Sequence, residues 1–178
     1  VKIGLLGGSF DPPHSGHIYI SLQSIKKQKL DQIWWFPAKQ NPLKQNVLSK
    51  SLPNNFQNRL NLCQQITKSY PKIIVKDLEK ELPSIYSIDL IKKIIRQNSK
   101  HQFFWIIGAD NILKFHLWKN WQKIIEFTPL IICDRGDDSY LATKSKAFLF
   151  AKKLQKVRFL KIKKLNISST KIRKNNGL

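Results

Sequence analysis

Residues Gly7 to His17 read GGSFDPPHSGH and set two imidazoles, His14 and His17, three positions apart behind a double glycine. The run follows the apolar stretch Ile3-Gly4-Leu5-Leu6 and precedes an amphipathic one, the pattern of a strand, a turn and a helix start. Free backbone N–H groups, the positive end of a helix dipole and two ring donors together suit one ligand chemistry, a phosphate. Gly7 and Gly8 let the backbone pass close to such a group. Asp11-Pro12-Pro13 predicts a rigid, extended bend that aims both rings across the helix mouth. The turn is no dinucleotide fingerprint, because GxGxxG is absent. In the plainer reading the histidines cap or pack locally, which leaves two donors idle at a strand end.

A second constellation is Ile167-Ser168-Ser169-Thr170-Lys171-Ile172-Arg173. Three hydroxyl residues at a helix start offer N–H groups to an anion, and Arg173 one turn on adds a fork of donors. Alone it is also an ordinary capped basic helix; beside the histidine turn it becomes a second phosphate clamp. Other residues carry less. Trp118 falls with Trp121, Ile124 and Ile125 on an apolar helical face, which periodicity alone assigns to the core. Asp110 suits the cap of a helix starting at Asn111, Lys44 is one lysine among many, and His101 and His116 read as surface or packing residues. Cys63 and Cys133 lack metal-site spacing and read as buried thiols of a reducing cytoplasm. No metal cage made of protein ligands is predicted.

Short apolar runs that alternate with helix-period segments must position these groups. Strands are expected at Val1–Leu6, Gln32–Phe36, Lys72–Val75, Phe103–Ile107, Leu130–Cys133 and Val157–Ile162. Helices are expected at Ile18–Gln28, Phe56–Thr67, Ile88–Gln97, Trp118–Phe127, Tyr140–Gln155 and from Ile167 onward. Unbroken apolar strands in strict alternation with helices predict an α/β fold: a Rossmann-like, doubly wound parallel sheet of five or six strands with helices on both faces. Ligands in such sheets bind beyond the carboxyl ends of the strands, near the switch point. Both Gly7-Gly8 and Gly108-Ala109-Asp110 sit at such ends. The long polar linker from Ala38 to Asn55 has the length of a substrate loop or lid. The whole chain, 1–178, is expected to be a single domain.

A formal charge of +21 invites a nucleic-acid reading. Against it, lysine supplies 27 of the 32 basic residues, and Lys, Asn and Ile together make up 62 of the 178, a bias that an A- and T-rich genome imposes everywhere. Arginine, the better reader of phosphates and bases, occurs five times. Ser139 to Leu178 does hold twelve basic residues and no acid, so a basic nucleic-acid-binding module remains the alternative from another class. The longest apolar stretch, Phe103 to Ala109, is far short of the roughly 20 residues that span a bilayer, so no membrane partner is expected. Since the first residues read as a strand, no signal peptide is expected either.

The chain resembles the nucleotidyltransferases of the HxGH type, and within them the branch that adenylylates nicotinate mononucleotide. The resemblance runs through GGSFDPPHSGH, the NPLK segment at Asn41 to Lys44, Arg59, Tyr86-Ser87-Ile88-Asp89, IIGADN at Ile106 to Asn111, Trp118, and SSTKIR at Ser168 to Arg173. It implies transfer of AMP from ATP to nicotinate mononucleotide, with nicotinate adenine dinucleotide and pyrophosphate as products. His14 and His17 would then bind the ATP phosphates, His17 nearest the α-phosphate, and the backbone of Gly8, Ser9 and Phe10 would line the nucleotide. Ser168, Ser169, Thr170 and Arg173 would hold the leaving phosphates, and Lys44 would reach in from the loop. Gly108 and Asp110 would contact the ribose, Trp118 would stack on the pyridine ring, and backbone near Tyr86 and Ser87 would receive its carboxylate. Mg²⁺ would arrive with ATP. The same resemblance implies a cytoplasmic enzyme and leaves a homo-oligomer open. Two departures stand out: Leu43 replaces the histidine that many relatives carry before the lysine, and Arg135-Gly136-Asp137 replaces an arginine-proline-glycine. Within the superfamily the runner-up acceptors are nicotinamide mononucleotide and phosphopantetheine, although the latter group usually has threonine where His14 stands.

Overall fold

A computed structural model describes residues 1–39, 56–78, 82, 84, 86–134, 136, 139–163, 167 and 169–175. Its centre is a six-stranded, wholly parallel sheet: β1 (Lys2–Gly8), β2 (Gln32–Pro37), β3 (Ile73–Val75), β4 (Gln102–Gly108), β5 (Leu130–Asp134) and β6 (Val157–Lys161). The strands lie in the order β3-β2-β1-β4-β5-β6. All six occur where the apolar runs predict them, because strands covered on both faces need no polar alternation. From β1 the chain winds outward through β2 to β3, and from β4 it winds the other way. A crevice therefore opens between the carboxyl ends of β1 and β4. Leu6 pairs with Ile106 across that junction, which brings Gly8 and Gly108, each two residues further on, to the same edge.

Two apolar layers cover the sheet. On one face Ile3, Leu5, Trp34, Phe36, Trp105 and Ile132 pack with residues of α3 (Ser87–Gln97), α5 (Trp121–Phe127), α6 (Ser139–Lys144) and α7 (Lys146–Lys153). On the other, Leu6, Ile33, Trp35, Ile106 and Ile131 pack with Ile18 of α1 (Ser15–Gln28) and Cys63 of α2 (Phe56–Thr67). Two short elements complete the described chain, α4 (Ala109–Ile112) after β4 and α8 (Ser169–Asn175) after β6. Among the described residues, no helix is long and apolar enough to cross a membrane.

Three helix expectations need correction. Tyr140–Gln155 is two helices, because Ser145 interrupts it: its hydroxyl donates to the Ala142 carbonyl at 2.8 Å and accepts from Phe148 N at 3.2 Å, ending α6 and capping α7. Trp118 lies outside α5, which starts at Trp121 behind a left-handed Asn120 (φ +53); a 3-10 turn, Phe115–Leu117, precedes it. Asp110 is no cap, since Gly108 holds that position and Asp110 falls in the first turn of α4.

Candidate active site

The glycine turn reaches α1 through a cap of unusual chemistry. His14, extended at φ −151°, is the N-cap, and its Nδ1 accepts from Gly16 N at 3.1 Å. His17 returns the favour, its Nδ1 accepting from His14 N at 3.2 Å, so two imidazoles complete the reciprocal box usually built from a hydroxyl and a carboxylate. A neutral ring whose Nδ1 accepts carries its proton on Nε2, so each histidine is fixed as an Nε2–H donor. The glycine between them has a steric reason: a Cβ at Gly16 would lie 2.8 Å from His14 Nδ1 and 3.3 Å from Ile167 Cγ2. The two rings stand 3.9 Å apart, and His17 rests on Phe10 at 4.7 Å, which in turn stacks on Trp35 at 4.8 Å. Phe10 sits at φ +46° and the Asp11–Pro12 bond is cis, a departure from the extended bend expected from Asp-Pro-Pro.

Onto this turn docks α8, from the other end of the chain. Ser169 Oγ donates to the Pro12 carbonyl at 2.9 Å, and Arg173 donates through Nη1 to the Asp11 carbonyl. The same nitrogen lies 3.6 Å from the buried Asp11 carboxylate, and Nη2 donates to Thr170 Oγ1 at 3.5 Å. The structure thus brings His14, His17, Ser169, Thr170 and Arg173 into one place. Ser168, Lys44, Arg135 and the loop 40–55 lie outside the described residues.

A second arm of the site follows β4. Trp105 lies along Gly7, where an added Cβ would come within 3.1 Å of its ring, and Trp118 meets Trp105 edge-on at 6.2 Å and Phe115 at 4.8 Å. Trp118 is half-buried, not a core residue of a helix, and forms an aromatic shelf beside the glycine turn. Next to it, Lys119 Nζ stands 4.3 Å over the Tyr86 ring, joining this segment to the start of α3. Tyr86 is the N-cap of α3 without a side-chain cap bond, while Ser84 Oγ ties the first turn down through Asp89 Oδ2 at 2.6 Å. At the end of β4 the Asp110 carboxylate folds back against Gly108, so close that a Cβ there would overlap Oδ1.

Residue types and spacing gave Arg59 and Lys119 no role here. Arg59 is fully buried; its guanidinium donates to the carbonyls of Ser9 and Lys39 and lies 5.6 Å from the Phe56 ring. The signal for it was present: one of only five arginines falls on the apolar stripe Phe56, Leu60, Cys63. Burial pushes the neighbouring Cys63 thiol up to about 12, with the Arg59 charge acting in the opposite sense. Lys119 had no such signal among 27 lysines. Among the described residues no group of three or more His, Cys, Asp or Glu is placed to hold a metal ion.

A doubly wound sheet with a double-glycine, two-histidine turn at its switch point is the architecture of a nucleotidyltransferase, and the family model described as cytidylyltransferase-like matches residues 5–175. The chain is 34% identical over 98% of its length, and 98% of the relative's, to the "probable nicotinate-nucleotide adenylyltransferase" of Agrobacterium fabrum. It is 38% identical to the protein of the same name from Pelagibacter ubique, over 97% of this chain and 92% of that one. Among solved structures it is similar to nicotinic acid mononucleotide adenylyltransferase of Plasmodium falciparum complexed with NaAD, with a TM-score of 0.77 and 26% identity, over 97% of this chain and 82% of that one. The chain belongs to the nicotinate-nucleotide adenylyltransferases of the cytidylyltransferase-like family.

Proposed function

We propose that the enzyme transfers AMP from ATP to nicotinate mononucleotide, releasing pyrophosphate and nicotinate adenine dinucleotide. The observation that carries this reading is the docking of the Ser169–Arg173 segment on the Asp11-Pro12 bend beside His14 and His17. Two donor sets from distant parts of the chain there face one polyphosphate.

The attacking atom is a phosphate oxygen of the mononucleotide, already anionic at neutral pH, so no base need remove a proton. It forms a bond to the α-phosphorus of ATP while the bond to the β-bridging oxygen breaks, and that oxygen leaves with pyrophosphate. The demands on the protein are alignment of two anions and stabilisation of charge on the bridging and leaving oxygens. His14 and His17 serve the α-phosphate through Nε2–H, and Ser168, Ser169, Thr170 and Arg173 serve the departing β- and γ-phosphates. The backbone of Gly8, Ser9 and Phe10 lines the nucleotide, and Lys44 adds charge from the loop. Gly108 and Asp110 take the ribose. ATP enters as its magnesium complex, the ion screening the triphosphate.

For the acceptor, Trp118 stacks on the pyridine ring and the backbone near Tyr86 and Ser87, at the start of α3, receives its carboxylate, with the Lys119 ammonium close by. That set favours the acid over the amide. The two buried thiols, Cys63 and Cys133, support a cytoplasmic setting. Pyrophosphate release measured with ATP and each of nicotinate mononucleotide, nicotinamide mononucleotide and phosphopantetheine tests the reading. Nicotinate mononucleotide should have the highest kcat/KM; parity with either competitor removes the assignment.

A further inference from the structure

The Arg59 guanidinium is buried beneath the glycine turn and bridges two segments, the Ser9 carbonyl before Phe10 and the Lys39 carbonyl beyond β2. The Ser9–Phe10 peptide is trans, so its C=O and N–H point in opposite directions. Because Arg59 draws the carbonyl toward α2, the Phe10 N–H is turned the other way, out of the turn. Phe10 is 2% exposed, yet among the described residues no acceptor takes its N–H. A buried backbone donor left in that state is uncommon. So is a left-handed aromatic residue: φ +46° at Phe10 carries a strain that persists only where the surroundings enforce it. Here they do so twice, through the stacking of Phe10 on His17 and Trp35 and through the Arg59 bond to its peptide.

We propose that Arg59 is a positioning residue for the nucleotide: it holds the Ser9–Phe10 peptide so that the Phe10 N–H is presented to a phosphate beside His17. A guanidinium donating to the carbonyl also polarises the peptide, which makes the opposite N–H a stronger donor to an anion. Arg59 touches no substrate itself. Its charge reaches the site through one peptide group, which is why it stands on the buried face of a helix. The inference rests on the nucleotide reading above but extends it to a residue outside the phosphate clamp.

The test is a titration of isotope-labelled protein with inorganic tripolyphosphate, followed by NMR at the Phe10 amide and the Arg59 guanidinium. Both signals should move together and saturate together; if either stays in place, the proposal is overturned without any variant. Arg59→Lys, which keeps the charge but not the two-carbonyl fork, and Arg59→Gln then separate positioning from general support. In folded variants the Phe10 response should shrink and the KM for ATP should rise about tenfold, the scale of one charge-assisted hydrogen bond, with the KM for nicotinate mononucleotide within twofold of the parent. Equal rises in both KM values, or an unchanged Phe10 response, assign Arg59 to packing alone and sink the idea. If the parent protein shows the paired shifts yet transfers no adenylyl group, the functional reading fails and this one stands.

Discussion

Arg173 and Asp11, 162 positions apart in sequence, are joined twice: Arg173 Nη1 donates to the Asp11 carbonyl and lies 3.6 Å from the Asp11 carboxylate. The arginine of the proposed phosphate clamp is thereby aimed by the turn that carries the histidines. An aspartate in a site proposed to bind anions would otherwise be a liability; buried and paired, it orients the cation.

Arg173→Met should therefore cost on two scales. Losing the charge-assisted bonds to Asp11 should lower stability by about 2 kcal/mol in urea unfolding, and losing a donor to the leaving group should lower kcat by about 10². A variant that loses stability but turns over normally would reduce Arg173 to a strut.

His14 combines a cap with a donor, and the two can be separated. An Asn side chain caps a helix well but has no counterpart of Nε2–H, so His14→Asn should stay within about 0.5 kcal/mol of the parent while kcat/KM for ATP falls about 10². Steady-state kinetics beside thermal unfolding decide the matter; matched losses in both would make the ring a cap only.

Gly108→Ala is sterically local. The backbone there, at φ −71°, accepts any residue, but the new Cβ would displace the Asp110 carboxylate. The melting temperature should hold and the KM for ATP should rise about tenfold, as for loss of one hydrogen bond to a charged group. An unchanged KM would remove Asp110 from the ribose site.

Cys63 gives the fold a pH signature. Its thiol is raised from 9.0 to about 12 by burial, so between these values the unfolded chain releases a proton that the folded chain keeps. Stability is then unaffected by this group below pH 9 and declines above it, by about 1.4 kcal/mol per pH unit up to the folded value. The slope difference between the parent and Cys63→Ala, taken from urea unfolding at pH 8 to 10.5, isolates the effect; equal slopes would refute it.

The strands were legible because two-sided burial writes itself as unbroken apolar runs, and the β-α alternation then forces parallel order. Helix starts were less so. The helix after the turn begins at Ser15, not Ile18, since histidine is not a residue type that marks an N-cap. Ser145 and Asn120 break helices through hydroxyl bonding and a left-handed backbone that periodicity does not register. In the site, the meeting of the histidine turn with Ser169 to Arg173 was expected because both segments carry the donor pattern of a phosphate cradle. Trp118 is the counterexample: spacing put it on a helical face, and only folding shows that it leaves the helix to flank Trp105. Arg59 and Lys119 depend on contacts between distant segments, 50 positions apart in the case of Arg59 and Ser9; the apolar stripe marks Arg59 as buried but not its partners, and nothing local marks Lys119.

The seven residues of α8 add little to the two apolar layers, yet they carry half of the proposed clamp. A helix so short leans on its few polar ties to the bend at Asp11 and Pro12. Clipping by a protease just ahead of Ser169 should consequently forfeit those ties, about 2 kcal/mol through Arg173, and leave a folded but inert molecule. Competence thus rests on a stretch that supplies only a small share of the stability, and loss of output need not announce itself as loss of shape.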